Sequence, residues 1–173
     1  TVSANVVDID WRVGGPQGKG VDTAAGVFGR AAAAGGFFVF GRREYYSNIM
    51  GRHSYFDIRV ATHPVAVHRN PVDILVTFET ETLVRHALAV AAGGLLLHDA
   101  GAADVPIDRM VFLDPPLQEA LVSHLEEAGL PPTTAGLLEA ARRRGVTVLS
   151  VPYGELAKHL TSTLGASRAR AER

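Results

Sequence analysis

Two short runs hold the residues whose types and spacing can do chemistry. The first is Val13-Gly14-Gly15-Pro16-Gln17-Gly18-Lys19-Gly20, set between an apolar-alternating stretch and a helical stretch from Val21 to Ala34. A strand–turn–helix entry of this kind aims backbone N–H groups and the positive end of a helix at an anion. Gly15, Pro16, Gln17, Gly18, Lys19 and Gly20 are the contacts it predicts, with Lys19 supplying the charge. The second run, Gly41 to Ser54, carries Arg42, Arg43, Tyr45, Tyr46, Ser47, Arg52 and His53 without an apolar period. Arg42 and Arg43 suit a phosphate, such as the 2′-phosphate of NADP or the 3′-phosphate of coenzyme A. Tyr45, Tyr46, Ser47, Arg52 and His53 read as an interface, because aromatic and Arg side chains concentrate at interface centres. The run is expected to be a loop, ordered mainly by a partner domain or a coenzyme.

The glycine run matches neither common phosphate motif. Gly15, Gly18 and Gly20 give G-x-x-G-x-G where a dinucleotide fold needs G-x-G-x-x-G, and Gly41-Arg42-Arg43 stands where its acidic residue would follow. A P-loop fails at Val13 and at Gly20, where Gly and Ser or Thr are required. A tight turn needing positive φ, and a solvated pair of arginines, remain open as plainer readings. Asp22 already complements the helix dipole. His53, His63, His68, His86, His98, His124 and His159 show no metal-ligand spacing, so no metal site is expected. Ser47 and Ser54 lack a G-x-S-x-G context. Asp99 and Asp114 follow apolar runs, and helix capping accounts for Asp114. No self-sufficient catalytic set emerges.

The elements that must position these runs alternate along the chain. Asn5 to Arg12 reads as a strand and Val21 to Ala34 as a helix, followed by short strands at Phe37–Phe40 and from Ser54 toward Val67. Val72 to Phe78 is a mostly apolar run, the mark of a central parallel strand buried on both faces. A helix from Glu79 to Gly93-Gly94, buried runs at Leu95–His98 and Met110–Leu113, and helices starting at Asp114-Pro115 and Pro131-Pro132-Thr133 come next. Val146 to Val151 is strand-like, and Gly154 to Leu164 reads as a last helix. This order predicts an α/β fold, a mostly parallel sheet with helices on both faces, whose ligand edge lies at the carboxyl ends of the strands. The length fits one domain. With 47% hydrophobic residues and a net charge of −1, nothing draws the chain toward nucleic acid or an acidic membrane. No apolar run reaches the ~18–20 residues needed to cross a bilayer. A cytoplasmic location is expected. The sequence has no Cys, and hence no thiolate ligand for an iron–sulfur cluster.

Val13-Gly14-Gly15-Pro16-Gln17-Gly18-Lys19-Gly20 with Asp22-Thr23-Ala24-Ala25 resembles the opening of the gamma subunit or gamma domain of 2-oxoacid:ferredoxin oxidoreductases. There a G-x-G-G-Q-G turn leads into an alanine-rich helix; Pro16 replaces one glycine here. Arg42 to Phe56 is similar to the family's second element, in the form fused ahead of the alpha domain, and the run ending Val72-Asp73-Ile74-Leu75-Val76 has a counterpart too. The resemblance implies a Rossmann-like gamma-type domain over residues 5–165 and a polar tail, 166–173, leading to a missing downstream region. It implies a non-catalytic part of an enzyme that decarboxylates a 2-oxoacid to an acyl-coenzyme A and reduces ferredoxin. Thiamine diphosphate and the iron–sulfur cluster would belong to the alpha and beta partners or other subunits, and coenzyme A contact and interdomain packing to this chain. A free-standing NADP-binding domain and a purely structural docking module are the alternatives.

Overall fold

Strand β1 (Asp8–Pro16) has two unlike faces, and the architecture follows from them. Ile9, Trp11 and Val13 alternate with Asp8, Asp10 and Arg12, so one face is hydrocarbon and the other charged. Strand β3 (His53–Ala61) repeats the pattern in antiparallel register, with Trp11 opposite Ile58 and Arg12 opposite Asp57. The computed structural model that shows this describes residues 6–45 and 52–153. Helix α1 (Val21–Ala34) covers the hydrocarbon face, where Val13, Val21, Ala25, Ile58 and Val60 are buried together. Strand β2 (Phe38–Tyr45) pairs antiparallel with β3 at the edge.

The other half is parallel. Strands β4 (Val72–Thr77), β5 (Val90–Asp99) and β6 (Thr147–Val151) run parallel to β1, and the sheet order is β2-β3-β1-β4-β5-β6. β4 lies between β1 and β5, the central position its mostly apolar run predicts. Leu75 and Leu96 meet Leu83 of α2 (Thr80–His86), Leu121 and Leu125 of α3 (Pro115–Glu127), and Leu137 of α4 (Thr134–Arg143) in one buried cluster. The fold is α/β with a mixed, mostly parallel six-stranded sheet, as expected. The caps follow the chain's own signals. The Asp114 carboxylate accepts the Leu117 N–H with Pro at the first helical position, and Thr133 Oγ1 accepts the Gly136 N–H.

Several local expectations give way. β1 continues through Pro16, so the glycine turn is only Gln17–Gly20. Gly41 to Tyr45 is not loop but the end of β2, because a strand paired with a partner needs period-two alternation rather than an apolar run. α2 stops at His86 instead of running to Gly93-Gly94. Residues 90–99 are taken by the parallel ladder with β4, and a Cβ on Gly94 would come within 2.7 Å of the Asp73 carbonyl oxygen. Met110 to Leu113 is no strand; it follows a 3₁₀ turn at Ile107–Arg109 and drops Met110 and Leu113 into the core from a loop. Tyr46, Ser47 and the helix expected over 154–164 lie outside the described residues.

Candidate functional site

The two runs singled out in the sequence are strand neighbours. Gly15 lies opposite Ser54, and Pro16 opposite His53, in the β1–β3 register. The Gln17 N–H donates to the Arg52 carbonyl at 2.8 Å, so the tip of the first run is fixed to the end of the second. The turn then closes with the Lys19 N–H on the Pro16 carbonyl and Gly20 at φ 95°, a left-handed geometry that makes Gly the N-cap of α1. Lys19 is exposed, and nothing lies within 4 Å of a Cβ built on Gly20. Gln17 Oε1 is buried without a hydrogen-bond donor among the described residues, an acceptor available to a bound group.

Arg42 and Arg43 point to opposite faces of β2, as successive strand residues must. Arg43 reaches Asp22 on the first turn of α1 at 2.8 Å, and Arg42 pairs with Glu44. Both guanidinium groups are therefore engaged by carboxylates of the chain itself, and a phosphate would have to compete for them. Arg52 is exposed. His53, expected at an interface, is 2% exposed inside the chain: it starts β3 on the charged face, beneath α2. The side chain of Tyr45 is outside the description.

The charged face of β1 and β3 holds residues that the sequence reading missed. Arg12 forks onto Asp57, Nε to Oδ1 at 2.6 Å and Nη2 to Oδ2 at 2.9 Å, with both residues buried. The Tyr55 ring covers the guanidinium at 4.5 Å. Arg12 Nη1 lies 3.1 Å from His86 Nδ1, His86 Nε2 lies 3.2 Å from His53 Nε2, and His53 Nδ1 lies 3.1 Å from Glu79 Oε1. Further along, Arg59 donates to Asp8 and Arg69 to Asp10 and Asp73, and the Arg59 hydrogen bond holds the Asp8 carboxyl below its usual range. The signal for this network was the polar alternation His53, Tyr55, Asp57, Arg59 facing Arg12 and Asp10 on β1.

At the carboxyl ends of the strands, the chain leaves β1 through α1 toward β2, and leaves β4 through α2 toward β5. The connections depart to opposite sides, which opens a crevice at the point where parallel sheets bind ligands. The Phe78 N–H donates to the Gly14 carbonyl there, and a Cβ on Gly14 would run into the Thr82 methyl, so β1 is pressed against α2. A cavity of about 230 Å³ opens beside this point, lined by Phe78, Glu79, Thr80, Leu83, His98 and Asp99 among others. Tyr153 packs edge-on against Phe78, and burial with Asp99 nearby pushes its phenol up to about 12. Among the described residues no group of three His, Asp or Glu side chains is disposed to hold a metal ion, and no helix is long and apolar enough to cross a membrane.

The family model described as pyruvate ferredoxin/flavodoxin oxidoreductase matches residues 10–170. The alpha subunit of 2-oxoacid:ferredoxin oxidoreductase 1 from Sulfurisphaera tokodaii is 38% identical over 156 residues, which is 90% of this chain and 25% of that subunit. The alpha subunit of 2-oxoacid:ferredoxin oxidoreductase 2 from Aeropyrum pernix is 33% identical over 168 residues, 97% of this chain and 26% of that one. The chain thus spans a quarter of the length of the curated relatives it matches. It shares its fold with 2-oxoglutarate:ferredoxin oxidoreductase from Magnetococcus marinus, solved with 2-oxoglutarate, coenzyme A and succinyl-CoA bound. That likeness has a TM-score of 0.53 at 15% identity and covers 83% of this chain and 33% of the other. With residues 10–170 matched by the family model, the chain belongs to the pyruvate ferredoxin/flavodoxin oxidoreductase family.

Proposed function

We propose that this chain is the gamma-type portion of a 2-oxoacid:ferredoxin oxidoreductase and contributes contact with coenzyme A. Thiamine diphosphate and the iron–sulfur cluster would then be held by the remaining alpha and beta parts, and ferredoxin would take the electrons from the assembled enzyme. The relatives are alpha subunits matched over a quarter of their length, which supports a gamma-type domain joined to an alpha domain in one chain. The observation that carries the coenzyme reading is the glycine turn at the β1–β4 crevice. Its helix N-terminus, exposed Lys19 and Gln17 Oε1, which has no donor among the described residues, suit a ligand bearing both phosphate and hydrogen-bond donors. Arg42 and Arg43 stand on the neighbouring edge, each within the chain's own ion pairs.

Calorimetric titration of the full chain with coenzyme A, and separately with NADPH, tests this. Coenzyme A is expected to bind, and Lys19→Ala with Arg42→Ala to weaken it at constant fold. Binding of NADPH in preference to coenzyme A would make the chain a dinucleotide-binding domain instead. Binding of neither would leave packing against partner domains as its role.

A further inference from the structure

The hydrogen bonds joining Arg12, His86, His53 and Glu79 can be oriented in only one way. A guanidinium has only N–H groups to give, so His86 Nδ1 must accept from Arg12. The single proton of a neutral imidazole then sits on His86 Nε2 and points at His53 Nε2. His53 Nε2 has to accept, because a proton there would set two N–H groups head to head across 3.2 Å. The His53 proton is left on Nδ1, where it faces both Glu79 Oε1 and the Thr82 hydroxyl oxygen at 3.1 Å, while that hydroxyl gives its own proton to Glu79 Oε1 at 3.3 Å. The order therefore runs without a break from a buried guanidinium to a carboxylate that lines the cavity beside the crevice.

The groups facing the two rings agree with this order. Arg12 of β1 and Arg85 of α2 are the cations, Asp57 of β3 and Glu79 the anions, His68 stands 3.7 Å from Asp57, and the Tyr55 ring lies edge-on to His86 at 4.6 Å. Burial, and then the Arg12 charge, push His86 down to about 2, so it stays neutral as the geometry requires. An added proton on either ring would break the Nε2–Nε2 contact.

We propose that His86 is a positioning residue: acting through His53, it fixes the proton order from Arg12 to Glu79, keeps the Glu79 carboxyl presented as an acceptor on the wall of the cavity beside the crevice, and holds the start of β3 against α2. A ligand group meeting Glu79 must then bring an N–H or O–H donor, such as an amide or hydroxyl, whereas a phosphate is repelled. This role toward a ligand rests on the coenzyme reading above; the proton order does not.

Long-range proton–nitrogen spectra of the imidazoles in the full chain test the order directly. The expected signature at neutral pH is His86 protonated on Nε2 and His53 on Nδ1. His86→Gln carries an acceptor for Arg12 and a donor for His53, so it should leave the His53 signature in place. His86→Leu should release His53 into a mixture of tautomers and weaken coenzyme A binding by about ten-fold, the effect of one hydrogen bond to a charged group. A wild-type His53 protonated on Nε2, a charged His53, or an unchanged His53 in His86→Leu overturns the proposal. If His86→Leu does not fold, the wild-type and His86→Gln spectra still decide it. Equal coenzyme A affinity in the Leu and Gln variants overturns the ligand role. A wild-type chain that binds no coenzyme A removes that role together with the coenzyme reading, and the spectra then judge the order alone.

Discussion

His86 closes α2 with its ring turned into the molecule, where water cannot stabilise an imidazolium. In the unfolded chain the same side chain takes up a proton below about 6.5. Between that value and about 2 the unfolded state binds more protons than the folded one, so stability falls as the pH drops through this window. From this group alone the protein should be about 2 kcal/mol less stable at pH 5 than at pH 7.5. Urea unfolding at the two pH values measures this, and His86→Gln should flatten the difference. The Arg12–Asp57 pair makes a second residue-scale test. Asp57→Leu strands a buried guanidinium and should cost about 3–5 kcal/mol, while Arg12→Met with Asp57→Leu should recover much of the loss. Neither network was found from spacing, because His53 and His86 are 33 positions apart and meet only once β3 and α2 have packed. The alternation of polar residues on β1 and β3 was visible, but it reads equally well as a solvated face.

At the scale of elements, legibility followed the strength of local signals. α1 spans Val21–Ala34 as the alanine-rich period indicated, α3 starts at the Asp114-Pro115 cap, and β4 occupies the predicted centre. The end of α2 was misread because an apolar run starting at Ala87, directly after it, continues unbroken into β5, and only the ladder with β4 decides where helix stops and strand begins. β2 was misread in the same way, since a strand carrying Arg42, Arg43 and Glu44 has no hydrophobic period to show. Two substitutions test these elements. Leu75→Ala, at a fully buried position of β4, should cost about 2–5 kcal/mol in urea unfolding. Gly20→Ala meets no atom within 4 Å but must hold φ 95°, so a loss of about 1–2 kcal/mol is expected from backbone strain alone.

For the molecule as a whole, the glycine turn and the second run indicated a family, whereas the crevice depends on how six strands are ordered. That order could not be read from a linear chain, because β3 inserts between β1 and the edge by a hairpin rather than by a crossover. If the proposed division of labour holds, the pure chain should give no turnover with any 2-oxoacid, thiamine diphosphate and a dye acceptor. Measurable reduction of the dye would refute it. The place of β1 has a consequence for how the protein is made. β1 precedes both of its neighbours in the chain, yet both of its edges are bonded in the finished sheet, one by β3 and the other by β4. Until synthesis has passed His53, neither neighbour exists, and Trp11 and Val13 lie on a strand with two open edges. The sheet can close only after Thr77 has emerged, so folding waits on contacts far apart in sequence, and the nascent chain spends that interval as the form most prone to pair with the wrong strand.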